Sequence, residues 1–189
     1  MNIYDPYPQE VECGGWVYRL NLAYDRVLRA IDAQEIDELT DEDRLALQCE
    51  LLLADGEKVP DSAEEQAALV AAVFSLFPKK KKTAHSERVL DLHQDAAMIR
   101  SAFFRMGIDL TRQKIHFFQF LELLADIPQD TALARVIDIR QRPLPKPTKY
   151  NGEEIARLQK AKADVALEIS DEERRDQFMN SLKRLNLWG

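Results

Sequence analysis

The segment IDLTRQKIHFFQFLELLADIP, residues 108–128, most constrains how this chain can fold. Between about residues 114 and 126 its apolar side chains follow helical spacing and spread around most of the helix circumference. A helix that is apolar nearly all round normally forms the centre of a domain. We therefore expect core here, and neither a partner surface nor a cofactor pocket. Together with a preceding helix, the predicted core is Ile99, Phe103, Phe117, Phe120, Leu121 and Leu124.

Helical spacing also recurs along most of the remaining chain, which has only 6 glycines among its 189 residues. Thr40 and either Asp61 or Ser62 are placed to cap two of these helices, because their side-chain oxygens can accept the first free amide protons. Asp95 is predicted to cap a later helix that ends at Gly107.

The opening VECGGWVYRLNL has a different pattern, with Gly14 and Gly15 between two short extended runs. Paired glycines favour a tight β-hairpin turn, since both tolerate a positive φ. Trp16, Tyr18 and Leu20 would then share one face and cover the helical body. The predicted fold is mainly α, a multi-helix bundle with a small N-terminal β-hairpin and a C-terminal helical extension.

Prolines mark a boundary late in the chain, with three of them between Pro143 and Pro147. Such a run favours a semi-rigid polyproline II spacer. We expect a body over residues 1–142, a linker over 143–150 and a helical arm over 151–189. The arm ends in a narrow apolar stripe that would dock on the body, on another copy or on a partner. The partner-binding residues predicted from this stripe are Phe178, Met179, Leu182 and Leu185.

Charge is divided unevenly along the chain. Residues 1–78 hold 17 acidic and 5 basic side chains, net −12, whereas residues 79–189 hold 16 and 21, net +5. This asymmetry suggests head-to-tail self-association or a charged partner, or simply solvated faces of opposite sign. The run Lys79 to Lys82 predicts a solvated loop, and without a basic stripe elsewhere we expect no nucleic-acid binding.

Targeting and membrane signals are missing from the sequence. No apolar run approaches the roughly 20 residues of a membrane span, and the first 30 residues do not resemble a signal peptide. Cys13 and Cys49 define no disulfide framework and are predicted to be small apolar fillers. We expect a cytoplasmic protein that binds no membrane.

Catalytic motifs are equally scarce, with no Gly-rich phosphate loop, nucleophile elbow or zinc-spaced cysteine pair. Asp91, His93 and Asp95 alternate, so an extended chain would place all three on one face as candidate metal ligands. The alternative is that Asp95 caps a helix and that Asp91 and His93 serve the turn before it. His116 could bond a backbone carbonyl or pair with Asp109, and catalysis is the competing interpretation. We expect no enzyme, cofactor or metal site.

The middle of the chain resembles the phage tail-cluster family known as gene product fifteen. The resemblance covers about residues 10–167, with Phe117 and Phe118 replacing a tryptophan pair and Met106 replacing a usual aromatic residue. The matching positions are Asp91, Asp95, Ile99, Ala102, Phe103, Gly107, Ile108, Asp109, Leu110, His116, Phe120, Leu124, Thr131 and Arg140.

The resemblance implies a non-enzymatic role in long-tailed phages or prophages. The family's genes lie between those of the major tail protein and the tape-measure protein, where tail assembly chaperones are encoded. We therefore expect a chaperone that binds the tape-measure protein, tail-tube subunits or both in the host cytoplasm, with homo-oligomer formation left open. The alternatives are a tail or connector protein retained in the virion, and a metal-dependent enzyme.

Overall fold

A computed structural model describes residues 4–77 and 89–168 of the protein. Within these residues the fold is mainly α, with seven α-helices and one small antiparallel sheet, as predicted. In chain order the elements are β1 (Glu10–Cys13), β2 (Trp16–Arg19), α1 (Tyr24–Asp32), a 3₁₀ turn (Ala33–Glu35), α2 (Asp41–Leu52), α3 (Ala63–Ser75), α4 (Ala96–Arg105), α5 (Phe117–Ala125), α6 (Ala132–Gln141) and α7 (Gly152–Asp164).

These elements belong to two compact units that interleave along the chain. The first unit comprises described residues 4–77 and 103–127, and the second comprises 89–102 and 128–168. Helix α4 therefore contributes residues to both units. Described residues on both sides of the proline-rich segment belong to the second unit, and the division into body, linker and arm stays a prediction.

Local signals in the sequence set several element boundaries. Gly14 and Gly15 have φ of 61° and 81° and turn the chain between β1 and β2, as predicted. The Thr40 and Ser62 side chains accept the amides of Asp43 and Glu65, which confirms both as N-caps. Gly107 ends α4 with a φ of 83°.

The predicted covering role of Trp16 is wrong, because this side chain is 72% exposed. Trp16 shares a hairpin face with Tyr18, since its cross-strand partner is Cys13 and that of Tyr18 is Val11. Leu20, beyond the strand, is buried and forms a bridge with Leu53. The hairpin is thus held at its open end, and Trp16 at the turn extends past the packed residues.

Helix α5 forms the aromatic centre of the first unit. The ring of Phe120 stacks on Tyr24 of α1, with centroids 5.1 Å apart, and on Phe103 of α4, with centroids 5.2 Å apart. Phe117 lies beside Phe120 and is also buried. Aromatic stacking contributes roughly 0.5–1.5 kcal/mol per pair beyond the burial of the rings.

The six residues predicted as core fall into two groups. Ile99, Phe103, Phe117 and Phe120 are buried, whereas Leu121 and Leu124 are half-buried. Phe118 is buried as well. The helix begins three residues later than predicted because extended His116 forms an antiparallel bridge with Ala23, through Tyr24 N–H to Ile115 O and Phe117 N–H to Leu22 O.

Two adjacent phenylalanines of α4 give a matched test of this packing. We expect Phe103→Ala to lower the free energy of unfolding by about 3–5 kcal/mol, because Phe103 is fully buried and leaves a cavity. Phe104→Ala should change it by less than about 0.5 kcal/mol, because Phe104 is 69% exposed. Denaturant unfolding of both variants measures the difference, and similar losses would contradict the assignment of Phe103 to the core.

Candidate partner-binding site

The entrance to α5 is organised by His116, which caps this helix. Its Nδ1 accepts the amide of Phe118 at 3.1 Å, and its Nε2 lies 3.1 Å from the carbonyl oxygen of Pro8. A carbonyl can only accept, so Nε2 carries the proton and the ring is the neutral tautomer. The imidazole is thus bonded to backbone groups at both nitrogens, which is a structural use.

The N-terminal segment is fastened to the same helix by Tyr7. Its ring stacks on the His116 imidazole, with centroids 4.8 Å apart and planes 11° from parallel. The Tyr7 hydroxyl donates to Oε2 of Glu122 at 2.7 Å, and this bond raises the pKa of the phenol. Together with the Pro8 carbonyl, these contacts fix residues 7 and 8 against α5.

An open groove lies between this N-terminal segment, α5 and the end of α3. Its volume is about 670 Å³. Apolar side chains provide most of its lining and two carboxylates complete it: Asp5, Pro6, Pro8, Leu76, Phe118, Leu121 and Glu122. At one edge of the aromatic helix, half-buried Leu121 and part of Phe118 line this groove, and the prediction that the helix offers no contact surface stays a prediction.

The described part of the unit that contains the groove has a negative net charge. The described residues of the first unit include 20 acidic and 8 basic side chains, net −12. Those of the second unit include 8 and 9, net +1. The charge asymmetry seen along the sequence is therefore a property of the first unit, in which the groove is found.

Asp109 does not pair with His116, contrary to that sequence-based interpretation. Its Oδ1 accepts both the amide and the hydroxyl of Thr111, at 2.9 and 2.6 Å. These bonds, helped by Arg112 at 3.5 Å, lower the pKa of the Asp109 carboxyl. Asp109 thus organises the turn between α4 and α5.

A buried ion pair organises the second unit, and sequence reasoning missed it. The Arg140 guanidinium donates to both carboxylate oxygens of Asp95, at 2.6 and 2.9 Å, and the two side chains are 8% and 1% exposed. Asp95 directly precedes α4, and its carboxylate accepts the Asp91 amide at 3.0 Å as well as the Arg140 guanidinium. Whether Asp95 also caps α4 stays a prediction.

Arg140 also connects segments that are distant in sequence. It donates to the carbonyls of Val89 at 3.0 Å and Val165 at 2.6 Å. The Gln94 side chain adds two more hydrogen bonds, donating to the carbonyl of Ala166 and accepting from the amide of Glu168. These bonds attach the end of α7 to the segment that precedes α4.

The candidate metal ligands serve this same unit. Oδ1 of Asp91 accepts the amides of His93 and Gln94, at 2.8 and 2.7 Å, and Asp95 binds Arg140. Residues 4–77 and 89–168 contain no cluster of three or more His, Cys, Asp or Glu side chains that could hold a metal ion. The alternating triplet thus supports a turn, which was the other interpretation.

The remaining predicted residues divide between described and undescribed parts of the chain. Burial raises the pKa of the Cys49 thiol to about 11, so this cysteine is an inert apolar filler, and Cys13 is half-buried. The lysine run and the predicted partner-binding residues lie outside the described residues: Lys79 to Lys82, Phe178, Met179, Leu182 and Leu185.

Fold and site together define a mainly α-helical protein whose first unit carries an open, mainly apolar groove with two carboxylates in its lining. The model of the family described as Bacteriophage Gp15 protein matches residues 3–167, so the chain belongs to this family. The resemblance seen in the sequence is thereby confirmed at the level of the family. Searches of curated proteins and of solved structures returned no match.

None of the helices among the described residues has both the length and the apolar character needed to cross a bilayer.

The buried ion pair gives a test with an exposed control. Arg140→Met should cost about 3–5 kcal/mol of unfolding free energy, because it leaves the Asp95 carboxylate buried without its partner. Arg142→Met removes an exposed pair with Asp138 and should cost less than about 1 kcal/mol. Adding Asp95→Asn to Arg140→Met removes the buried charge, so the double variant should recover part of the loss. Equal effects of the two arginine variants would contradict this account.

The helix cap at His116 predicts a pH dependence. Burial lowers the pKa of His116 below the ordinary 6.5, although the bond to Pro8 acts in the opposite direction. The unfolded chain thus binds a proton more readily at this residue. The contribution to stability is fully present above about pH 6.5 and is lost as pH falls through the lowered pKa.

We expect His116→Asn, which keeps a cap acceptor without a titrating group, to remove this part of the pH dependence. Unfolding free energies of both proteins, measured between about pH 5 and 8, should therefore converge as the pH falls. A constant difference across this range would mean that His116 is not held neutral.

Proposed function

We propose that this phage protein is a tail assembly chaperone that binds the tape-measure protein, tail-tube subunits or both in the host cytoplasm. The observation that carries the proposal is the family match over residues 3–167. Genes of the resembling family lie beside the tape-measure gene, in the position of tail assembly chaperones. The tape measure is a long amphipathic helix that must stay soluble before the tail tube encloses it.

The groove of the first unit supports a role in binding a helix. It is open, mainly apolar and bordered by two carboxylates. An amphipathic helix buries its apolar face in such a groove and leaves its polar face in water. Covering the apolar face of a partner in this way would prevent its aggregation.

The use of the polar side chains supports a non-enzymatic role. His116 bonds two backbone groups, Asp95 pairs with Arg140, and Asp109 and Asp91 each hold a turn. Each of these groups has a contact that stabilises the fold. Because these side chains serve structural contacts, binding is favoured over catalysis as the function of the described residues.

The C-terminal stripe formed by Phe178, Met179, Leu182 and Leu185 is the second proposed contact element. Its test is a deletion that begins after Glu168. Deleting from residue 151 would also remove α7, together with the carbonyl of Val165 that Arg140 binds. The shorter deletion keeps every described residue of the second unit and tests the stripe itself.

The test is co-expression with the tape-measure protein encoded by the same phage or prophage. We expect the full chain to co-purify with it, and the chain ending at Glu168 to lose most of this binding. Mass spectrometry of finished particles should not detect the protein. Lack of co-purification by the full chain would overturn the tape-measure assignment, and presence in the particle would favour the structural alternative.

A further inference from the structure

We propose that the groove lined by Leu76, Phe118, Leu121 and the N-terminal prolines is a docking site for a basic amphipathic helix. This inference deepens the proposed function and rests on it, because it names the surface of the chaperone that a partner helix would occupy. The ligand it predicts has apolar side chains on one face and lysine or arginine beside that face.

The apolar floor of the groove is the surface that the apolar face of this helix would contact. Leu76 at the end of α3 and Leu121 in the middle of α5 are both half-buried and both line the groove. Burying apolar surface contributes about 25 cal/mol per Å², so these side chains gain from an apolar cover. Side chains one helical turn apart on a ligand could contact this floor.

The carboxylates of the groove would favour lysine or arginine beside the apolar face of the ligand helix. Asp5 and Glu122 both line the groove, within a unit whose described residues carry a net charge of −12. The Tyr7 hydroxyl occupies Oε2 of Glu122, and a carboxylate can accept further hydrogen bonds at its other oxygen. A negative field of this kind attracts cationic segments and rejects acidic ones.

The groove is also preformed in the described structure. Its N-terminal wall is held by the stacking of Tyr7 on His116 and by the bond of His116 to the Pro8 carbonyl. Phe118 is fixed by edge contacts with Tyr7, His116 and Phe77. A fixed wall and floor lower the entropic cost of binding.

The test compares two labelled synthetic peptides of about 18 residues, with leucine at helical spacing and either lysine or glutamate at the other positions. We expect the full-length protein to bind the lysine peptide at least about tenfold more tightly than the glutamate peptide in fluorescence anisotropy. Equal binding of the two peptides would overturn the predicted charge preference.

A matched pair of double variants locates the binding. Asp5→Lys with Leu121→Gln changes the groove, and Asp37→Lys with Ile36→Gln makes the same kinds of change at exposed positions of the same unit. We expect the groove variant to lose at least about tenfold in affinity for the lysine peptide and the control to stay within about twofold. Circular dichroism checks that both remain folded, and equal losses would overturn the groove as the site.

Capture of the tape-measure protein separates this inference from the proposed function. If the wild-type chain captures it and the groove variant captures it equally well, the groove assignment is wrong and the chaperone function stands. If the wild-type chain captures none, the proposed function fails, and the peptide comparison decides the groove independently.

Discussion

The stack of Tyr24, Phe120 and Phe103 is the interaction on which the first unit depends. It joins α1, α5 and the end of α4 through two ring contacts just above 5 Å. The Tyr24 hydroxyl adds a bond to the carbonyl of Leu110, so the loop that enters α5 is tied to the same ring. Because these rings fix the rotation of α5, they also decide which of its side chains face inward and which reach the surface.

That rotation produces the groove. Phe117 and Phe120 point into the unit and are buried, which leaves Leu121 and one edge of Phe118 toward the N-terminal segment. Tyr7 and His116 then hold that segment at a fixed position. The core and the candidate binding surface thus lie on two sides of α5, so a change in the packing of this helix would alter both.

Local sequence signals were sufficient for much of this fold. The glycine pair, the Thr40 and Ser62 caps and the aromatic spacing of α5 act over a few residues, so they could be predicted without coordinates. The pair of Asp95 with Arg140 could not, because it joins residues 45 positions apart in the sequence. The occurrence of both residues in the family-like motif was the one available hint.

The groove was missed for a different physical reason. A helix that is apolar on all sides has the same pattern whether every side is covered or one side lines an open surface. Only the position of its neighbours separates the two cases. The exposure of Trp16 was missed for the same reason, because alternation along a strand assigns a face but not what covers that face.

The interleaving of the two units has a consequence for synthesis on the ribosome. Residues 4–77 require α5 to complete their aromatic centre, and the segment that precedes α4 requires Arg140 and the end of α7. Domains generally fold in order as the chain emerges. Neither unit can therefore complete its folding early in synthesis. The first unit lacks α5 until residue 125 has left the exit tunnel, and the second unit lacks the end of α7 until later.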